Sequence, residues 1–195
     1  MSNKKGMLMV LSGPSGCGKG TVVKELLARY PDMVLSVSMT TRDPRPTDVD
    51  GVSYHFVTKE EFEATIAADG FLEYAEYNGQ YYGTPVAPVK KWLEEGKCVI
   101  LEIEVKGGEK VMDKWPDPVT VFLDIPSMEE LERRLRGRGT ESEEAIQKRL
   151  EAALYELSRM FRYQYVVVND VVEDSCDKIR TIVEAEYLRY HRVKE

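Results

Sequence analysis

Nine residues near the N-terminus, Gly13-Pro14-Ser15-Gly16-Cys17-Gly18-Lys19-Gly20-Thr21, combine the types that bind phosphate. Gly13, Gly16 and Gly18 let backbone N–H groups converge on phosphate oxygens at a helix N-terminus, where the dipole also favours anions. Lys19 adds a point charge suited to the β- and γ-phosphates. The spacing satisfies G-x-x-x-x-G-K but not the hydroxyl that should come next. Gly20 stands where switch-type NTPases carry the Mg²⁺-ligating Ser or Thr. The hydroxyl arrives one step later, at Thr21. From the first helical turn Thr21 can donate to an α-phosphate, which leaves Mg²⁺ to phosphates and water. An ordinary glycine turn is the alternative, and the flanking elements decide against it.

Other reactive types are sparse. Arg133, Arg134, Arg136 and Arg138 crowd into six residues of a chain with net charge −7. Alone, such a cluster is a solvated face that complements a helix C-terminus. Two histidines and three cysteines without a C-x-x-C pair exclude a zinc site or disulfide framework as expectations. Cys17 lies at a helix N-terminus, where thiolates are favoured. Thiol reagents are expected to inhibit and a bound nucleotide to protect, unless Cys17 is a small filler. The acidic balance argues against general nucleic-acid affinity. No apolar run approaches a membrane span, and Met7 to Leu11 is too short for a signal-peptide core. A cytoplasmic protein with no membrane partner is expected.

The elements that must position these residues alternate. Met7 to Leu11 reads as a buried strand and Lys19 to Arg29 as a helix, so strand, glycine loop and helix follow in the order the motif requires. Val34 to Ser38 reads as a strand, and 39–53 as a polar, mobile loop. Tyr54 to Val57 is a strand, followed by a helix from the capping box Thr58–Glu61 to Ala68, stopped by Gly70. Phe71 to Tyr77 and Tyr81 to Thr84 flank the turn Asn78-Gly79. Pro88 to Glu95 is a short helix. Lys97 to Ile103 and Val119 to Ile125 are continuous apolar strands suited to a parallel sheet. Ser127 to Glu130 and Thr140 to Glu143 are capping boxes. The second opens a long helix with Ile146, Leu150, Leu154, Leu157 and Phe161 at helical spacing. A strand over Tyr165 to Val168 and a helix from Asp174 complete the chain. At 195 residues, this is one three-layer α/β domain around a parallel sheet, interrupted by a mixed insertion and by a glycine-bounded loop carrying arginine.

The G-K-G-T ending resembles that of the small nucleoside-monophosphate kinases. The stretches SMTTRDPRPTDVDGVSYHFV (38–57), NGQYYGTP (78–85), RLRGRGTESEEAIQKRL (134–150) and VVVND (166–170) resemble guanylate kinase, over essentially the whole chain. The resemblance implies a P-loop nucleoside-monophosphate kinase whose core comprises 1–38, 85–136 and 143–195. A GMP-binding insertion would span 39–84 and a lid 137–142. It implies transfer of the ATP γ-phosphate to GMP or dGMP with Mg²⁺, by a monomer or homodimer. Two other readings stand beside it. One is a non-catalytic guanylate-kinase-like binding module, and the other a kinase of another small phosphate acceptor.

The acceptor chemistry fits residue by residue. Arg42 and Arg45, on a Pro-braced loop, can grip a dianionic phosphate, with hydroxyls from Tyr54 and Tyr82. On type alone, solvated surface charge and core aromatics would serve equally. By resemblance, Glu73 and Glu104 face the guanine N–H donors, and Ser38 and Thr84 the O6 edge. Arg134, Arg138 and Arg149 are assigned to the transferring phosphates, and Asn169 to the adenine. The family usually has Asp where this chain has Glu102 and Glu104, Gln at Lys106 and Glu at Asp48. Glu102 and Thr21 are the residues expected to orient Mg²⁺ waters.

Overall fold

In the computed structural model, residues 5–77, 79–137 and 142–193 are described. Strands β1 (Met7–Ser12), β2 (Met33–Leu35), β7 (Cys98–Glu102), β8 (Val119–Asp124) and β9 (Tyr165–Val168) form an all-parallel sheet in the order β2-β7-β1-β8-β9. Every residue of β1 is buried, and the pleat divides them. Met7, Met9 and Leu11 enter one core with helices α1 (Lys19–Arg29), α5 (Met128–Arg136), α6 (Glu143–Ser158) and α7 (Val172–Tyr187). Leu8 and Val10 enter a second core with α3 (Val86–Glu94) and α4 (Val105–Lys114). Three layers result. After β1 the chain crosses to β2 on one side, and after its neighbour β8 to β9 on the other. In an open α/β sheet, that switch point is where ligands bind.

The remaining strands, β3 (Met39–Thr40), β4 (His55–Phe56), β5 (Phe71–Tyr77) and β6 (Gln80–Pro85), form a separate mixed sheet in the order β4-β3-β6-β5. Helix α2 (Lys59–Ala67) covers it. Phe62, fully buried on α2, stacks between Phe71 at 4.4 Å and Tyr81 at 5.3 Å, measured between ring centroids. Leu72 and the Lys110 ammonium, which donates to the Tyr74 carbonyl at 2.8 Å, tie this sheet to the core around α4.

Local signals placed most element ends well, and the exceptions have physical causes. The Thr58 box is complete, with Thr58 and Glu61 each serving the other's backbone N–H. Asp69, not Gly70, takes the left-handed position after α2, at φ 50°, and Gly70 donates back to the Thr65 carbonyl. The expected strand over 34–38 ends at Leu35, and Ser38 is outside it. Residues 39–53 are not the loose loop expected from their polarity. Met39 and Thr40 pair with β6, and the Thr40 hydroxyl donates to the Tyr81 carbonyl. Asp50 accepts from the Phe56 N–H. Helix α3 begins at Val86 rather than Pro88, and α7 at Val172 rather than Asp174. Ser142 caps α6, while the expected cap Thr140 lies outside the described residues. Leu154 and Phe161 are 59% and 78% exposed, so the buried stripe of α6 runs through Ile146 and Ala153 instead.

Phe62→Ala should lower the unfolding free energy by about 3–5 kcal/mol, because it opens a cavity between two stacked rings. Urea denaturation checks this, and a loss under about 1 kcal/mol would contradict the packing.

Candidate active site

The glycine loop joins β1 to α1 at the switch point. Gly13 has φ 152°, and a Cβ there would collide with the Leu123 carbonyl of β8. Gly18, at φ 97°, opens α1, and a Cβ there would approach the Asn169 amide nitrogen to 2.6 Å. Both positions need glycine for conformation and for space. The loop is braced from behind. The Cys17 carbonyl accepts from Asn169 Nδ2 at 2.7 Å and from Arg134 Nη1 at 3.1 Å. Arg134 also donates to Glu130 at 2.7 Å and to the Asn169 carbonyl at 2.9 Å. Asn169 is 3% exposed and accepts from Ser175 Oγ at 3.0 Å. Helix α6 grips the loop from the front. Arg149 donates to Ser15 Oγ at 2.7 Å, and Glu156 accepts from the Ser15 N–H at 3.1 Å. Lys19 is folded back, with Nζ donating to the carbonyls of Gly13 at 2.6 Å and Pro14 at 3.1 Å.

A cavity of about 470 Å³ opens in front of the loop, lined by Ser15, Lys19, Thr21, Glu102, Glu104 and Arg149 among others. A second hollow of about 190 Å³ lies between Ser36, Ser38, Ser53, Tyr54 and Glu102. Glu102, at the end of β7, borders both. It is open to solvent on one side, but the protein crowded around it raises its carboxyl, and Lys19 offsets part of that rise.

On the far side of the second hollow, Arg42 is half-buried over the rings of Tyr54 and Phe56, at 5.5 and 5.7 Å. Its Nη2 donates to Asp48 at 2.8 Å. Asp48 also accepts from the Arg45 N–H, and these bonds hold its carboxyl below the usual range. Tyr54 meets Tyr82 edge-on at 5.9 Å. The Arg45 side chain is exposed. Deeper in, Glu73 is 7% exposed and accepts from Thr84 Oγ1 at 3.0 Å. Burial raises the Glu73 carboxyl, while Thr84 and Lys110 pull it back.

The structure thus gathers Lys19, Thr21, Glu102, Glu104 and Arg149 at one cavity. It groups Arg42, Tyr54 and Tyr82, and buries Glu73 with Thr84. It sets Arg134 and Asn169 behind the loop, where their polar groups hold the Cys17 carbonyl rather than line the cavity. Thr84 gives its one proton to Glu73. Arg138, and the lid expected over 137–142 apart from Gly137 and Ser142, lie outside the described residues. The reactive thiol expected at Cys17 is corrected: Cys17 is fully buried, and burial raises its pKa more than Lys19 lowers it. Glu156 escaped the sequence reading. Its signal was present, because it follows Arg149 by seven residues and so shares one helical face.

The family model for guanylate kinase matches residues 5–186. The chain belongs to the guanylate kinase family. A guanylate kinase of Clostridium perfringens (strain SM101 / Type A) is 52% identical over 193 residues, which is 99% of this chain and 89% of the relative. One from strain 13 of the same species is 51% identical over the same length. The crystal structure of guanylate kinase from Anaplasma phagocytophilum superposes with a TM-score of 0.78 at 34% identity, covering 98% of this chain and 92% of that one. The enzyme is an ATP-dependent nucleoside-monophosphate kinase.

Two outcomes follow from the burial of these groups. Native enzyme should show no fast-reacting thiol towards an aromatic disulfide, and denatured enzyme three, because Cys17, Cys98 and Cys176 are all buried and free. Rapid labelling of Cys17 would overturn that. Glu73→Gln should melt at a higher temperature than the parent at pH 7. A carboxyl raised on folding leaves stability intact below its unfolded pKa, about 4.3, and loses it as pH rises through the folded value. The gain should therefore vanish near pH 4, and a gain equal at both pH values would refute the burial argument.

Proposed function

We propose that the enzyme transfers the γ-phosphate of ATP to GMP, and to dGMP, giving ADP and GDP in the cytoplasmic recycling of purine nucleotides. The observation that carries this reading is the pair of hollows sharing the Glu102 wall, one against the glycine loop and one against Ser38 and Tyr54, whose ring carries Arg42. Two phosphate-bearing substrates placed there would meet end to end, as in-line transfer requires.

The sheet of residues 39–84 serves as the GMP-binding unit. Arg42 is already oriented by Asp48 and stacked on Tyr54, so it meets the acceptor phosphate with little loss of side-chain freedom. Arg45, Tyr54 and Tyr82 add donors. Glu73 and Glu104 accept from the guanine N1–H and N2–H₂. Ser38 serves O6, and Thr84 contributes chiefly by orienting Glu73. Adenine presents an acceptor at N1, which a carboxylate repels. On the donor side, the loop N–H groups and Lys19 hold the triphosphate, and Arg149, with Arg138 from the lid, offsets charge that develops during transfer. Arg134 and Asn169 are positioning residues that act through the Cys17 carbonyl. No general base is needed, since the second pKa of the acceptor phosphate is about 6 and the attacking oxygen is already anionic at neutral pH.

The donor set suits Mg²⁺ carried in with ATP. Thr21 and Glu102 are hard oxygen donors at the cavity, and Gly20 leaves the Glu102 carboxylate 3.6 Å from where a Cβ would sit. When bound, the ion would neutralise phosphate charge, with Glu102 and Thr21 orienting its waters. The substrates are small nucleotides. Neither a nucleic acid nor a membrane is required, and a monomer or homodimer suffices. Among the described residues, no helix is long and apolar enough to cross a membrane.

ADP formation from ATP and Mg²⁺, with GMP, dGMP, AMP, CMP and UMP offered at equal concentration, tests the assignment. Fast turnover with GMP, slower with dGMP and almost none with the rest is expected. Preference for another acceptor would mean that the Asp-to-Glu exchanges at 102 and 104 changed specificity. Absence of turnover with every acceptor would favour the binding-module reading.

A further inference from the structure

Helix α6 faces the phosphate loop with two groups of opposite charge. Arg149 and Glu156 lie two helical turns apart on one face, and both grip Ser15, one by its hydroxyl and the other by its N–H. The N–H groups of such a loop are the donors that cradle phosphate oxygens. Here one of them is already occupied by a carboxylate of the protein. Lys19, the cation of the motif, is likewise turned onto the loop's own Gly13 and Pro14 carbonyls. The Ser15 N–H and the Lys19 ammonium are thus both satisfied by groups of the protein itself.

The charge around the cavity sharpens the point. Its described lining carries three carboxylates, Glu102, Glu104 and Glu156, against two cations, Lys19 and Arg149. Among the described residues the acids therefore outnumber the bases at a site that takes a polyanion, before Arg138 and Mg²⁺ are added. Glu102 and Glu104 have work in the reading above, with Mg²⁺ waters and guanine. Glu156 has none.

We infer that Glu156 is a negative gate on the phosphate loop, holding the Ser15 N–H in place of a phosphate oxygen and yielding it when ATP binds. The inference rests on the kinase reading above. With nucleotide bound, the displaced carboxylate stays beside the phosphates, since α6 is anchored in the core through Ile146 and Ala153. A like charge held there weakens binding of both ATP and ADP and speeds their release, which is a frequent limit on turnover in kinases. Burial already raises the Glu156 carboxyl, with Glu104 adding to the rise and the Ser15 N–H, Lys19 and Arg149 opposing it. Its charge is therefore held in place by these partners, all three of which the nucleotide would claim.

Calorimetric and stopped-flow binding of Mg²⁺–ADP, Mg²⁺–ATP and GMP to the whole enzyme tests this with two variants. Glu156→Gln removes the charge at constant shape and should bind ADP and ATP about tenfold tighter, mainly through slower dissociation, with GMP affinity unchanged. Glu156→Asp keeps the charge in the cavity and should stay within about twofold of the parent. A merely structural residue would weaken nucleotide binding when altered, not tighten it. Unchanged or weaker nucleotide binding by Glu156→Gln would overturn the inference, as would equal tightening in both variants or failure of Glu156→Gln to melt cooperatively. A parent enzyme that binds neither ADP nor ATP would bring down the kinase reading itself, and the inference with it.

Discussion

A glycine loop that gathers backbone N–H groups at a helix N-terminus is electrostatically unfavourable until an anion arrives. Much of this structure serves to hold that loop in shape regardless. The Leu123 carbonyl presses against Gly13, so the chain must turn tightly as it leaves β1. Asn169 and Arg134 take the Cys17 carbonyl and so brace the loop from behind. Gly16 and Gly18 supply the left-handed backbone that makes the convergence possible. The braces come from β8, from the end of β9 and from α5, all of which sit on the same edge of the parallel sheet. Sheet order thus decides which groups can reach the loop.

The second sheet answers a different constraint. Guanine recognition by carboxylate requires a charged acid in a place dry enough to discriminate, and drying it out costs stability. Glu73 shows the compromise. It is nearly sealed, retains one hydroxyl donor in Thr84 and feels Lys110 at a distance. The aromatic stack of Phe62, Phe71 and Tyr81 supplies rigid apolar packing between the same sheet and α2. Arg42 is treated in the opposite manner, remaining charged and half-exposed but held in one pose by Asp48 and two rings. In the function proposed above, specificity comes from the sealed acid and anion capture from the poised cation.

Between these halves stands Glu102, which borders both hollows. Gly20 offers no side chain towards the cavity, so the Glu102 carboxylate lies beside the first turn of α1, where a longer residue would compete with it. Its carboxyl is raised by crowding and steadied by Lys19. On the inference drawn above, Glu104 and Glu156 temper the pull of Lys19 and Arg149 on the polyanion. A kinase that must release its products at every turnover benefits from that restraint.

Whatever depends on neighbours in the chain was legible in the sequence. The glycine loop, the bounds of α1 at Lys19 and Arg29, the Thr58–Glu61 box and the apolar parallel strands all follow from hydrogen bonds or periodicities spanning a few residues. The resemblance carried the family and the acceptor. Only the tertiary structure decided what is set by residues far apart in the chain. It made Cys17 a buried filler, turned Asn169 and Arg134 into braces, and brought Ser15 against Arg149 and Glu156. It drew Met39 and Thr40 out of a polar stretch into a strand, because β6 offered them partners. It also left Leu154 exposed on a helix whose apolar spacing seemed to bury it, because α6 turns the face of Arg149 and Glu156 towards the loop. Local chemistry fixes which groups exist and how each segment coils, but long-range packing chooses which atoms face one another, and the catalytic cavity is made of such encounters.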